Sequence, residues 1–239
     1  MSKALQLTII FSMLLLLLVV AMMSGLIQSD RWRITQLEVA AEYDRITPEQ
    51  LRLMVAKTPE RSFFRLNAEE VKRNIESMSW VRYAHVVKQW PDTLKITIKE
   101  HQAIAIWNEK DLLNQSGEVF QVDAVDHLNA LPKIYGIAED SKLTLENFNR
   151  FNQLLQPVGY EIREAHVNNR GDWRLILRNG LEVLLGSEKH EARILRLADT
   201  WDQLLKTAKR LPERVDLRYS NGYVVRWREQ DEFVEQVMG

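Results

Sequence analysis

The chain contains no cysteine among its 239 residues, which excludes disulfide bonds and thiol chemistry. Acidic and basic residues nearly balance, at 33 and 32, so the composition gives no support for a nucleic-acid partner. Only nine glycines are present, and neither a G-x-G-x-x-G segment nor a Walker A loop occurs. Redox chemistry at sulfur and nucleotide binding are therefore not indicated.

Charge is also missing from residues 4–29, which include an unbroken leucine run at 14–18. A bilayer-spanning helix needs about 20 apolar residues. Residues 7–27 are therefore predicted to form a transmembrane helix that follows a short tail, residues 1–6. A cleaved signal peptide is the alternative, but its apolar core is shorter, about 7–15 residues. The basic residues Lys3, Arg31 and Arg33 flank the helix on both sides and do not decide its orientation.

Recognisable catalytic motifs are absent as well. No G-x-S-x-G segment occurs, and His190-Glu191 does not complete a zinc-binding H-E-x-x-H motif because Ile194 occupies the place of the second histidine. No histidine pairs with another at metal-ligand spacing, as the positions show: His85, His101, His127, His166 and His190. The sequence predicts no catalytic residue, no cofactor site and no metal site, and hence a protein that is not an enzyme.

Residues 34–101 are predicted to form one compact unit with the order β-α-α-β-β. Residues 36–41 have the pattern of a strand, and Thr47 with Gln50 has the spacing of a helix-capping box, with Pro48 at the first helical position. Asn67 begins a second helix, whose apolar residues recur at helical spacing. Two strands follow, at 81–90 and from Leu94 to the end of the unit, where apolar and polar residues alternate.

Residues 102–229 are predicted to form a β-rich domain with two helices, so the fold class is α+β. Short strands are predicted at 103–108, 119–122, 161–168, 173–178 and 181–185, and Asn179-Gly180 indicates a hairpin. Thr144 and Ser187 are predicted to begin the two helices, whose apolar stripes we assign to core packing. Residues 230–239 are predicted to be a polar tail.

The last strands, 214–219 and 223–228, allow two hairpin registers. A two-residue loop at Asn221-Gly222 would place arginines on the same face as Val215. A three-residue loop, with Gly222 in the left-handed conformation, pairs Tyr219 with Tyr223, Leu217 with Val225 and Val215 with Trp227. All six of these apolar residues then lie on one face. The alternation therefore favours the three-residue loop. The final strand is predicted to lie at a sheet edge, where a partner segment can add a strand.

Residues 81–100, V-R-Y-A-H-V-V-K-Q-W-P-D-T-L-K-I-T-I-K-E, resemble the end of the POTRA domain in the FtsQ/DivIB bacterial cell-division family. Segments around Leu37, Trp80, Trp173 and Trp227 agree with this resemblance, which covers about residues 7–228 in the family's order, and the gamma-proteobacterial type is most similar. The tail of about six residues is shorter than in many relatives.

The resemblance implies a non-enzymatic scaffold of the division complex, anchored in the inner membrane with its C-terminal part in the periplasm. The implied partners are FtsB and FtsL, with FtsK for the POTRA module. One alternative is a membrane-anchored periplasmic enzyme that acts on peptidoglycan. A second is a POTRA protein of outer-membrane assembly, although no barrel-forming segment follows Trp227 in this sequence.

On this resemblance, the extracytoplasmic end of FtsB is expected to pair with the last strand, where a proline at position 224 is expected to weaken binding while sparing the fold. The predicted partner-binding residues belong to the final hairpin, with one further ionic candidate outside it: Arg218, Tyr219, Gly222, Val224, Trp227 and Arg170.

Overall fold

The computed structural model describes residues 3–28, 32–40, 45–125, 128–208 and 210–228. The chain divides into two compact units, residues 1–101 and 102–239. The predicted polar tail at 230–239 and His127 lie outside the described residues.

Helix α1 spans Lys3–Gln28 and includes the segment predicted to be helical. Apolar side chains along it are exposed, among them Phe11, Leu14 and Met22. Within the described part of the chain, no helix meets the length and apolarity that a membrane span requires. The predicted transmembrane span over 7–27 is therefore not confirmed.

The rest of the first unit has the predicted β-α-α-β-β order. Its elements are β1 (Gln36–Ala40), α2 (Pro48–Ala56), α3 (Ala68–Glu76), β2 (Val81–Gln89) and β3 (Thr93–Glu100). The three strands form a sheet in the order β1-β3-β2, with β1 parallel to β3 and β2 antiparallel to it.

Helices α2 and α3 begin where the sequence predicts. The Thr47 side chain accepts from the Gln50 backbone N–H, and the Gln50 side chain accepts from the Thr47 backbone N–H, which completes the capping box. Asn67 caps α3 in the same way, by accepting from Glu69 and Glu70. Because these bonds join residues two or three apart, local sequence is enough to predict them.

The second unit is larger and richer in strands. Its strands are β4 (Ala103–Trp107), β5 (Asp111–Asn114), β6 (Val119–Gln121), β7 (Lys133–Tyr135), β8 (Ile162–Val167), β9 (Trp173–Leu177), β10 (Glu182–Gly186), β11 (Pro212–Asp216) and β12 (Val224–Trp227). Its helices are α4 (Ser141–Leu155) and α5 (His190–Ala208). The described strands form one sheet in the order β12-β11-β10-β9-β8-β7-β4-β5-β6.

One face of this sheet carries the core. A row of apolar residues crosses it in register, from Ile134 and Ala165 through Leu175 and Val183 to Val215. These five are buried in one cluster with apolar residues of both helices, such as Phe148, Phe151, Ile194 and Trp201. The stripes on α4 and α5 are therefore core packing, as predicted.

Several predicted boundaries in this unit are wrong. Strands β5 and β7 were not predicted, since runs of four and three residues are too short for alternation to be recognised. Helix α4 begins at Ser141, before Thr144. Helix α5 begins at His190, not after a Ser187 cap, because Lys189 has a positive φ of 52° that interrupts the helical backbone.

Candidate partner-binding edge

Strand β12 lies at one end of the nine-stranded sheet described above and pairs only with β11 among the described strands. This confirms the predicted sheet edge. The strand is four residues long, and Val224 is 55% exposed. An edge strand has backbone N–H and C=O groups that no neighbour within the sheet satisfies, and another chain can pair with them.

Both predicted registers of the final hairpin are wrong. The structure pairs Val215 with Val225 and Asp216 with Val224, so residues 217–223 all belong to the connection. The observed register differs from the favoured one by two residues, which preserves the side-chain alternation. Val215 and Val225 therefore still share the core-facing side. Gly222 does not have the positive φ that the three-residue loop required.

Contacts beyond the hairpin explain the longer connection. Leu217 does not pair with β12; its N–H donates to Leu184 O of β10, at 2.9 Å. Arg196 of α5 then donates to the carbonyl oxygens of Ser220 and Tyr219, at 2.7 and 3.2 Å. The helix thus donates hydrogen bonds to the backbone of a connection that is longer than either predicted loop.

Two further α5 residues contact the same connection. Arg193 donates through Nη2 to Arg218 O, at 3.2 Å, and through Nη1 to Leu185 O of β10. The hydroxyl groups of Thr200 and Tyr223 lie 2.6 Å apart and share a hydrogen bond. We call Arg193, Arg196 and Thr200 the α5 clamp. The sequence offers a signal for it in their helical spacing, but no local rule connects that spacing to the connection.

The outward-facing backbone groups of β12 follow from this register. Arg228 N–H donates to Leu211 O, at 3.0 Å, so position 228 faces β11. Successive residues of a strand point their backbone groups to opposite sides, so Val224 and Arg226 also face β11. Val225 and Trp227 consequently present their N–H and C=O groups to the open edge. Val224 is paired with Asp216 within the sheet, so a proline at 224 is now expected to disturb the hairpin itself.

Arg218 is exposed and bound to a neighbouring carboxylate. Its Nε and Nη2 donate to Asp216 Oδ1 and Oδ2, at 2.9 and 2.6 Å, in a bidentate pair. The side-chain hydrogen bond from Arg218 lowers the pKa of Asp216, and the same bond raises the pKa of Arg218. Arg218 can meet an acidic partner only by sharing or exchanging Asp216.

The other predicted binding residues are spread around this edge. Tyr219 is 56% exposed and lies in the connection, off the face that the prediction assigned to it. Gly222 follows in the connection, and a Cβ added there would meet no other atom within 4 Å. Trp227 is half-buried opposite Pro212 on β11. Arg170 is exposed in the β8–β9 turn, where its N–H donates to Asn168 Oδ1.

A cleft of about 650 Å³ connects Arg218 with that turn, since Asn168, Asn169 and Asp172 line it as well. His166 also lines this cleft, and its ring stacks on Tyr135 with 4.2 Å between ring centroids. Burial lowers the pKa of His166. Arg218 and the turn that carries Arg170 therefore border one concave surface.

Ion pairs occupy the charged side chains next to the edge. Arg226 of β12 donates through Nε to Glu213 Oε2, at 3.0 Å, and this side-chain hydrogen bond lowers the pKa of Glu213. Arg214 binds Glu182 in the same region. Arg226 and Arg214 are therefore both engaged in ion pairs with carboxylates of neighbouring strands.

Among the described residues, no group of three or more His, Asp or Glu side chains is arranged to hold a metal ion. The residues missed by sequence reasoning are structural supports of the edge: Arg193, Arg196, Glu213 and Asp216. An exposed sheet edge is a place where an extended segment of another chain can add a strand.

Comparisons with known proteins assign both units. The family model "Cell division protein FtsQ/DivIB, C-terminal" matches residues 105–218, and "POTRA domain, FtsQ-type" matches residues 32–101. Proteins named "Cell division protein FtsQ" are similar over most of this chain. The one from Xanthomonas campestris is 30% identical, over 88% of this chain and 75% of its own length. The one from Coxiella burnetii is 28% identical, over 91% and 90%.

A third relative of the same name, from Methylomonas methanica, is 31% identical over 82% of this chain and 78% of its own length. Among solved structures, POTRA1-2 of the periplasmic domain of Omp85 from Anabaena is 16% identical, with a TM-score of 0.25 over 54% of this chain and 84% of that chain. That score is too low to bear on the fold.

These findings define a bacterial cell-division protein with a POTRA domain and a β-rich domain. The chain belongs to the FtsQ/DivIB family. The relatives' names are those of cell-division proteins.

Proposed function

We propose that this protein is a non-enzymatic scaffold of the division complex that links early and late division proteins during septum assembly. Its β-rich domain binds a partner segment along β12, and the observation that carries this proposal is the open edge of that strand. The extracytoplasmic end of FtsB is the proposed guest, with FtsL in the same assembly and FtsK at the POTRA domain.

The protein is proposed to be anchored in the inner membrane at the septum by residues 7–27, with residues 34–229 in the periplasm. Two observations support the anchor. Residues 4–29 contain no charge, and the large apolar side chains of α1 from Ile9 to Met23 are exposed. Lipid is the environment in which such a surface is favourable.

Backbone pairing at β12 would allow a partner to bind even though Arg214 and Arg226 are engaged in ion pairs within the sheet. Val225 and Trp227 direct their N–H and C=O groups outward, so an added strand would bond to these two residues. Side chains above and below the strand, Val224 on one face and Trp227 on the other, would then select the partner. Arg218 and Tyr219 lie at the start of the connection and would contact the end of that added strand.

Val225→Pro tests this proposal, because it removes an outward N–H on an edge strand, where proline is tolerated. Val225→Ala is the matched control, since it shortens the same side chain but keeps the N–H. Loss of this one backbone hydrogen bond is expected to weaken binding about tenfold relative to the control.

Binding is measured with the full chain purified in detergent and the extracytoplasmic part of FtsB in complex with FtsL. Circular dichroism and thermal unfolding establish that both variants are folded. If folded Val225→Pro binds as tightly as Val225→Ala, pairing at β12 is refuted.

A further inference from the structure

Four aromatic side chains of the first unit form a surface patch next to the segment that follows α1: Trp32, Phe63, Phe64 and Trp90. We call them the aromatic patch. The Trp32 ring centroid lies 6.1 Å from that of Phe64 and 6.1 Å from that of Trp90, and Phe63 lies 5.6 Å from Phe64. Trp90 is 66% exposed and Phe64 is 48% exposed. The buried core of this unit is built from other residues, such as Leu51, Val71 and Ile96.

Backbone hydrogen bonds hold the three segments of the aromatic patch together. Phe63 N–H donates to Trp32 O, at 2.7 Å, and Ile34 N–H donates to Arg61 O, at 2.9 Å. Thr35 N–H donates to Asp92 O, at 3.0 Å, which brings the β2–β3 turn beside residues 32–35. The exposed rings of Phe64 and Trp90 are therefore carried by backbone segments that are hydrogen-bonded to residues 32–35.

Cationic residues neighbour the aromatic patch in the chain. Arg33, Arg61 and Arg65 are exposed next to its members in sequence, and Arg65 also pairs with Glu60, at 2.6 Å. The Lys88 ammonium lies 5.4 Å from the centroid of the Phe63 ring and donates to Phe63 O, at 2.8 Å. Trp is enriched at membrane–water interfaces, and Phe is among the apolar residues that interfacial surfaces bury in the headgroup layer. Lys and Arg beside them attract lipid phosphates.

The chain itself limits how far the aromatic patch can lie from α1. Only residues 29–31 separate Gln28, the last residue of α1, from Trp32. At the maximum reach of an extended chain, four residue steps span about 14 Å. The headgroup region of one leaflet is about 5–8 Å thick. If α1 spans the bilayer, Trp32 is held at or next to the headgroups.

We propose that the aromatic patch is a lipid-binding surface that docks the first unit onto the periplasmic leaflet of the inner membrane. This inference rests on the proposed membrane anchor. The aromatic rings of Phe64 and Trp90 enter the headgroup layer, and Arg33, Arg61 and Arg65 contact lipid phosphates. The ligand is the surface of a bilayer that contains anionic phospholipid.

The absence of cysteine makes a site-specific probe simple. A nitroxide label at Gln89→Cys, an exposed position next to Trp90, reports on this surface in the full chain reconstituted into phosphatidylethanolamine–phosphatidylglycerol vesicles. A label at Leu195→Cys, exposed on α5 of the second unit, is the reference. The ratio of oxygen to nickel-complex collision rates measures immersion of each label in lipid.

The label at 89 is expected to show a ratio several-fold higher than the label at 195. Phe64→Ser together with Trp90→Ser is expected to abolish this difference. Tyr83→Ser is the matched control, because Tyr83 is an exposed aromatic residue of the same unit outside the aromatic patch, and it is expected to leave the ratio unchanged.

Flotation of the vesicles after an alkaline wash separates the two hypotheses. A chain that does not float refutes the membrane anchor and this inference with it. A chain that floats while its label at 89 is as water-accessible as that at 195 refutes the lipid-binding surface alone. Shielding that appears only after the extracytoplasmic parts of the division partners are added also overturns it, since the surface would then bind protein.

Discussion

Arg196→Ala tests whether the α5 clamp holds the connection between β11 and β12. The substitution removes the two hydrogen bonds from the guanidinium group to the carbonyl oxygens of Ser220 and Tyr219. It leaves Arg193, and its bond to Arg218 O, in place. The connection is then expected to open locally while the sheet persists.

The expected loss of stability is modest. A hydrogen bond from a charged donor contributes about 1.5–3 kcal/mol when its loss leaves a buried acceptor unsatisfied. Here water can reach the exposed connection and replace part of each bond. The Nε atom of Arg196 is buried without a hydrogen-bond partner among the described residues, so the alanine variant also removes an unfavourable burial. The net decrease in the free energy of unfolding is therefore about 1–2 kcal/mol, or about 3–8 °C in Tm.

Arg150→Ala is the matched control, because Arg150 forms an exposed ion pair with Glu191 of α5, at 2.9 Å, and such pairs contribute little. Urea unfolding gives the two free energies, and amide hydrogen exchange at residues 219–222 reports on local opening. Arg196→Ala is expected to be the less stable variant and to exchange faster at those amides. If the two variants have equal stability and equal exchange, the α5 clamp does not hold the connection.

Two further predictions concern backbone strain and pH. Gly117 and Gly159 have φ angles of 76° and 77°, but only at Gly117 would a Cβ meet backbone, 2.7 Å from Lys142 Cα. Urea unfolding of each alanine variant is expected to show a loss of about 1–2 kcal/mol for Gly159→Ala and a larger loss for Gly117→Ala; equal losses would contradict the clash. Because Arg218 lowers the pKa of Asp216, this pair stabilises the fold above about pH 4 and the contribution is lost as pH falls through the folded-state pKa. Asp216→Asn is expected to reduce this acid-dependent loss in unfolding curves measured across that range, and an unchanged pH dependence would refute the assignment.

Local patterns predicted much of the first unit. The caps at Thr47 and Asn67 follow from hydrogen bonds to residues two or three positions away, and α2 and α3 begin where those caps require. Alternation of apolar and polar residues along β3 placed Leu94, Ile96 and Ile98 on one face, and all three are buried. The resemblance then supplied the POTRA assignment that these elements alone did not.

At the final hairpin, local patterns predicted the edge strand but not its register. The sequence placed an edge at the last strand, and the structure confirms it. The hairpin register is wrong by two residues because Arg196 binds the Ser220 carbonyl, 24 positions away in the chain. The hydrogen bond from Arg228 N–H to Leu211 O shows that the outward N–H groups at this edge belong to Val225 and Trp227 and not to Val224.

By itself the sequence determined the class of fold, the starts of α2 and α3, the core stripes of α4 and α5, and the face on which Val215 and Val225 lie. All of these depend on residue spacing, which repeats every two residues in a strand and every 3.6 in a helix. Only the tertiary structure decided the sheet order, the short strands β5 and β7, the length of the final connection and the backbone groups that β12 presents. Those depend on hydrogen bonds between residues distant in the chain, whose partners no local period specifies.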